Sequence, residues 1–247
     1  MPLAAIIIPC YNEALRLPKN KIIQFAETNK NIQICLVNDG SKDDTWDLLQ
    51  KMKYECPNLM VINNKKNQGK AETVRKTIFE LFQQHQFDYY GYFDADLSTP
   101  LSEIQILINI AIDKNKILVM ASRIQRLGSN IKRKFLRHII GRVFATCASN
   151  ILHLKVYDTQ CGAKIFNANI IPFTFDQPFI SRWLFDIEFI ARIINKYGLS
   201  KSENTVYEHP IDNWEDIDGS KLKLTDFIKF PLELWNIYKT YKIYQQK

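Results

Sequence analysis

Two carboxylates separated by one residue, Asp94 and Asp96, follow the apolar run Tyr89-Tyr90-Gly91-Tyr92-Phe93. A pair at that spacing, just past a strand, can reach one divalent cation and the phosphates bound to it. Mg²⁺ and Mn²⁺ favour such hard oxygen ligands and keep water and substrate phosphate in the rest of their shell. Asp39, in Val37-Asn38-Asp39-Gly40-Ser41, is a carboxylate that could accept from the N–H groups of a nucleotide base. Gly40 beside it permits close backbone approach or a positive φ. Gly69-Lys70 precedes a helical pattern, so Lys70 can meet a phosphate where the helix adds positive potential. The segment does not fit GxxxxGK[ST], which excludes a P-loop ATPase. A GxGxxG fingerprint is missing too, which argues against a dinucleotide oxidoreductase.

The elements that must position these residues alternate. Short apolar runs at 4–8, 32–37, 59–63, 89–93 and 117–121 read as buried strands. Segments 17–28, 43–54, 71–82 and 101–112 read as helices between them. This rhythm predicts an α/β fold, a mostly parallel central sheet with helices on both faces. Right-handed crossovers then bring the strand C-termini to one rim, where ligands bind. Four polar clusters follow the first four strands: Pro9-Cys10-Tyr11-Asn12-Glu13, Asn38-Asp39-Gly40-Ser41, Asn67-Gln68-Gly69-Lys70 and Asp94-Ala95-Asp96. The pattern places them on that rim as one site.

Beyond Arg123 the rhythm changes. Residues 131–152 read as a helix and 158–166 as a loop feeding a strand. Residues 185–197 form another helix, and 222–244 a last one, interrupted at Pro231. No repeat or Gly/Ser-rich linker divides the chain, which points to one domain over 1–225 and a helical, amphipathic tail over 226–247.

The chain of 247 residues is 46% hydrophobic and 24% charged, enough apolar residues to bury a sizeable core, which excludes disorder. Its five cysteines are odd in number and form no CxxC pair, against a disulfide framework or structural zinc. They are expected to be reduced and mostly buried, as in a cytoplasmic protein. No apolar run approaches the ~20 residues of a membrane span. Leu3 to Pro9 has no basic region before it and reads as a strand, not a secretory signal. The net charge is +7, and its distribution is uneven. Residues 114–157 hold ten basic residues and no acidic one, densest at Lys132, Arg133, Lys134 and Arg137. Such a stretch attracts phosphates, nucleic acid or an anionic membrane, or is a solvated helix face. A nucleic-acid module is disfavoured, because the stretch lacks interleaved aromatics and leaves Asp94 and Asp96 without a purpose.

In this order and spacing the clusters resemble the family 2 glycosyltransferases of the GT-A fold. In the second half, Ser122-Arg123, the run from Asp158-Thr159-Gln160-Cys161-Gly162 to Phe166, Arg182-Trp183-Leu184-Phe185-Asp186-Ile187-Glu188, and Trp214 to Leu222 resemble the dolichyl-phosphate β-glucosyltransferase branch. The likeness spans roughly residues 3–225. It implies that Pro9, Tyr11, Glu13 and Asp39 line the nucleoside pocket, with Asp39 on the base, and that Lys70 lies near the nucleotide. It implies that Asp94 contacts the ribose or metal-bound phosphate, that Asp96 binds Mg²⁺ or Mn²⁺, and that Lys221 closes over the pyrophosphate. Arg123 and Arg137, with Arg142 as a further candidate, would hold the phosphate of a lipid acceptor; Asp158 and Gln160 are further acceptor or base candidates.

The implied reaction moves a hexose, glucose from UDP-glucose, onto a polyprenyl or dolichyl phosphate with inversion, at the cytoplasmic membrane face. A phosphate acceptor is already anionic and needs guanidinium groups, which match its geometry, more than a base. A sugar-hydroxyl acceptor is the alternative; it needs a base, for which Asp186 and Glu188 are the candidates. Ser98, two residues after Asp96, is a poorer metal ligand than the Gln of some mannosyl relatives. No membrane anchor like that of many glucosyl relatives is expected from these residues; the aromatic, lysine-bearing tail could lie on a membrane instead, or pack on the domain.

Overall fold

The computed structural model describes residues 1–132, 135–215, 224–241 and 243; of these, 135–138, 140 and 224–229 are described by their backbone alone. The first half alternates strand and helix as its periodicity predicts: β1 (Ala4–Cys10), α1 (Lys19–Thr28), β2 (Ile32–Asp39), α2 (Thr45–Glu55), β3 (Met60–Asn64), α3 (Lys70–Gln84), β4 (Tyr89–Phe93), α4 (Glu103–Asp113) and β5 (Leu118–Ser122). The second half is less regular: β6 (Asn130–Lys132), α5 (Phe135–Leu152), β7 (Ala163–Asn167), α6 (Ile171–Thr174), α7 (Phe185–Tyr197), α8 (Leu199–Thr205), β8 (Val206–Pro210), β9 (Asn213–Glu215) and α9 (Leu224–Thr240).

Seven strands form the central sheet in the order β3-β2-β1-β4-β7-β5-β8. All neighbours are parallel except at β7, which runs antiparallel to both β4 and β5. The reversal matters for the site. Ala163, the first residue of β7, pairs with Phe93, the last of β4, so the chain entering β7 lies on the same rim as the ends of the parallel strands.

The strands divide their side chains between two cores. Ala4, Ile6 and Ile8 face one side with Ile22 of α1, Leu49 and Met52 of α2, and Ile104, Leu107 and Ile108 of α4. Ala5 and Ile7 face the other with Val74, Ile78 and Leu81 of α3 and the apolar face of α7. This period-two alternation within a strand covered on both faces is what a doubly wound sheet demands.

Two elements correct the sequence reading. The basic helix does not begin at Ile131. Ile131 is buried and pairs with Trp214 in a two-stranded parallel ribbon of β6 and β9, so α5 starts at Phe135. The last helix is not interrupted at Pro231: α9 runs through it. Proline costs one backbone hydrogen bond. Here its ring is exposed, and the helix beyond it is held by Leu234 and Ile237, both buried against α5 and α7. Thus the tail packs on the domain, while Leu232 and Trp235 stay exposed on its outer side. Among the described residues no helix is long and apolar enough to cross a membrane. All five cysteines are free thiols, and only Cys147 is exposed.

Candidate active site

The polar clusters do converge on one rim. The loops after β1 and β2 are stitched reciprocally: Asn12 N donates to Ser41 Oγ (3.0 Å), and Lys42 N donates to Asn12 Oδ1 (2.9 Å). Glu13 is buried; its amide donates to Thr45 Oγ1 (2.8 Å) and its carboxylate takes a bidentate pair from Arg16. Asn38 donates to Asn63 Oδ1 (2.7 Å), tying β2 to β3 at the rim.

Asp39 is also buried. Its two oxygens accept the amides of Gln68 (2.8 Å) and Gly69 (2.9 Å), while Asn67 Nδ2 donates to its carbonyl (3.1 Å). The carboxylate therefore folds the Gln68–Lys70 loop against β2. Gly40 is required here: φ is +64°, and a Cβ would stand 2.4 Å from Asn67 N.

Asp94 and Asp96 open the loop after β4. Lys70, the first residue of α3, pairs with Asp94 Oδ1 at 2.5 Å; its Nζ lies 5.2 Å from the centroid of the Tyr92 ring. Desolvation alone would lower the Lys70 pKa, but the carboxylates of Asp94, Asp186 and Asp96 outweigh it and hold the ammonium above its ordinary value. Asp96 Oδ1 accepts the amide of Ser98 (3.0 Å). Burial, then the like charge of Asp94, raises the Asp96 carboxyl pKa above the usual range.

This pair fits a divalent cation. It offers hard oxygens, and its mutual repulsion is relieved by a positive ion between or beside the two groups. Among the described residues no group of three or more His, Cys, Asp or Glu side chains comes together to hold a metal. The protein's contribution would thus be these two carboxylates, with phosphate and water completing the shell. The backbone behind Asp94 is shaped for it: its amide donates to Gly162 O (2.9 Å), and a Cβ on Gly162 would lie 1.9 Å from Asp94 Oδ2.

Behind and beside this pair the carboxylates have other surroundings. Asp158 receives Arg123 through Nε (2.6 Å), Nη2 (2.7 Å) and the backbone amide (3.0 Å), and Arg123 stacks over Trp214. Glu208 fixes that loop by accepting the amides of Tyr157 and Asp158, both at 2.7 Å. Asp186 is buried; it pairs with Lys164 (2.7 Å) and accepts the Tyr92 hydroxyl. Glu188, wholly buried, accepts the amides of Ile180 (2.7 Å) and Ser181 (3.2 Å), Arg192 Nη2 (2.9 Å) and the Tyr241 hydroxyl (2.7 Å). Arg142 lies flat on Tyr157, 3.6 Å from its ring centroid, and donates to that residue's carbonyl. The buried polar atoms Ser122 Oγ, Thr159 Oγ1 and Gln160 Nε2 have no hydrogen-bond partner among the described residues. They flank the Arg123–Asp158 pair in sequence, on the rim beside Asp94.

Of the residues singled out from the sequence, Pro9, Tyr11, Glu13, Asp39, Lys70, Asp94, Asp96 and Arg123 lie at or past strand ends on this rim, and Asp158 and Gln160 lie in the loop that enters β7 there. Arg137 is placed only by its position in α5, and Lys221 lies outside the described residues. Sequence reasoning missed Lys164 and Tyr92. A lysine between Ala163 and Ile165 in an apolar strand was the available signal, since a buried ammonium demands a carboxylate.

Residues 5–172 match the model of Glycosyl transferase family 2. A dolichyl-phosphate beta-glucosyltransferase of Trichomonas vaginalis is 29% identical over 97% of this chain and 74% of its own length. One from Dictyostelium discoideum is 31% identical over 88% of this chain and 68% of its own. The fold is that of glucosyl-3-phosphoglycerate synthase from Mycobacterium tuberculosis, solved with Mn²⁺, uridine diphosphate and glucosyl-3-phosphoglycerate. Its TM-score is 0.65 at 12% identity, over 97% of this chain and 80% of that one.

Proposed function

The chain belongs to glycosyl transferase family 2, and we propose that it transfers glucose from UDP-glucose to a polyprenyl or dolichyl phosphate with inversion at the sugar. The acceptor phosphate oxygen attacks the anomeric carbon, the bond to the diphosphate breaks, and UDP leaves with the electron pair. No proton has to be removed from the nucleophile. In this reading Pro9, Tyr11, Glu13 and Asp39 line the nucleoside pocket, and Lys70 turns from Asp94 to the diphosphate. Asp94 and Asp96 would hold Mg²⁺ or Mn²⁺, which when bound neutralises the charge that develops on the leaving diphosphate. Arg123 keeps Nη1 for an acceptor phosphate while Asp158 fixes its plane. Arg142 and Arg137 would complete that grip, and Lys221 would close over the pyrophosphate.

The observation that carries the acceptor is the state of the candidate bases. A sugar hydroxyl would need a carboxylate free to take its proton. Asp186 is held by Lys164 and Tyr92, and Glu188 by four donors. The names of the relatives, dolichyl-phosphate beta-glucosyltransferases, support the same choice. A lipid acceptor also implies work at a membrane surface, on its cytoplasmic side. Exposed Val143 of α5 and Leu232 and Trp235 of α9, two helices in contact, support peripheral attachment there.

The test is transfer of labelled glucose from UDP-glucose into an organic phase containing polyprenyl phosphate, with GDP-mannose in parallel. The reading requires lipid-borne label from UDP-glucose. Label that stays with a water-soluble sugar acceptor would return the function to hydroxyl transfer.

A further inference from the structure

The turn before α7, Ser181 to Leu184, holds none of the residues assigned above, yet it is fixed more firmly than a surface turn requires. Glu188 accepts the amides of Ile180 and Ser181. Ser181 Oγ accepts the amides of Trp183 (3.2 Å) and Leu184 (2.8 Å) and donates to Glu233 of α9. Ser181 and Leu184 are buried, so what this turn presents to solvent is Arg182 and Trp183.

Arg182 lies along the loop that Asp39 folds. A Cβ at Gly69 would stand 3.8 Å from its Nε, and its Nη2 makes one long hydrogen bond, to Gln68 O at 3.3 Å. Among the described residues it has no carboxylate within ion-pair distance, whereas Arg16, Arg75, Arg123, Arg126 and Arg192 each have one. The next residue along the loop, Lys70, reaches Asp94. A guanidinium with most of its five donors open among the described residues, placed by a built turn beside a phosphate-handling lysine, has the chemistry of a phosphate ligand.

We propose that Arg182 binds a substrate phosphate at the Gln68–Lys70 loop, either the donor diphosphate or the acceptor phosphate; this rests on the glycosyltransferase reading of the site. The experiment compares the full chain with Arg182→Ala and Arg182→Lys. It reads KM for UDP-glucose, KM for polyprenyl phosphate, Tm, and the affinities for inorganic pyrophosphate and inorganic phosphate in Mn²⁺ by calorimetry. Loss of charge-assisted bonds raises one KM by about tenfold in Arg182→Ala, with Tm unchanged and partial recovery in Arg182→Lys. A raised donor KM assigns the diphosphate; a raised acceptor KM assigns the lipid phosphate. Both KM values unchanged overturn the proposal, whether or not Tm falls. If the unmodified chain transfers no glucose, the proposed function has failed, and inorganic pyrophosphate and inorganic phosphate, titrated separately, decide Arg182. An affinity about tenfold weaker for either in Arg182→Ala then supports the assignment, and equal affinities for both overturn it.

Discussion

The carboxylates after β4 and those around α7 and β7 stand in opposite electrostatic situations. Asp94 and Asp96 are part-exposed; Lys70 pairs with Asp94, and Asp96 has its pKa pushed up by burial and by its neighbour. Asp158, Asp186 and Glu188 are buried, and each has a cation of its own: Arg123, Lys164 and Arg192. The first group is short of positive charge, the second is neutralised. A site that waits for a cation is arranged as the first; a scaffold that holds loops in place is arranged as the second.

Asp96→Asn should produce the largest effect. Loss of a group that helps stabilise the leaving charge lowers transfer on the order of 10³-fold. Its sign on stability is the opposite of a scaffold residue's. A carboxyl whose folded pKa lies above its unfolded value opposes folding once ionised, above both values, and the opposition fades as pH falls through the folded value. The metal-free Asp96→Asn protein therefore melts slightly higher than the parent at pH 7, and the difference shrinks toward pH 4. Differential scanning at several pH values measures it.

Glu188→Ala tests the other group. It leaves Arg192 buried beside an empty carboxylate site and strips two turn amides of their acceptor. The cost is about 3–5 kcal/mol of stability, read from urea unfolding. A loss under about 1 kcal/mol would show Glu188 to be no scaffold. Gly162→Ala comes next. The new methyl must displace the Asp94 carboxylate, and a misplacement near 1 Å costs on the order of 10²-fold in rate. The smallest effect concerns thiols. Burial pushes Cys161, beneath the site, up to about 11 and Cys35 up to about 12. Iodoacetamide on the folded protein at pH 8 should label Cys147 and leave these two unmodified, by mass spectrometry.

The same division explains what the sequence could show. In the first half each rim cluster is local. Asp94 and Asp96 are one residue apart, Gly69 adjoins Lys70, and each follows its own apolar run, so strand order and site could be read together. In the second half the groups that define a residue's chemistry come from far along the chain: Asp158 from Arg123, Asp186 from Lys164, Tyr241 from Glu188. Spacing does not encode such pairs, and Asp186 and Glu188 therefore read as available bases until their partners are seen. The same holds for Ile131, whose place in a strand depends on Trp214, and for Pro231, which is carried within α9 because Leu234 and Ile237 are buried beyond it.

The central claim is that a lipid phosphate, not a hydroxyl, receives the sugar. Purified protein, Mn²⁺, labelled UDP-glucose and polyprenyl phosphate, with Asp96→Asn alongside, test it most directly. The account predicts label in the organic phase, dependent on the lipid phosphate and absent with Asp96→Asn. Label released as free glucose or carried by a soluble glycan, with none on the lipid, would contradict it.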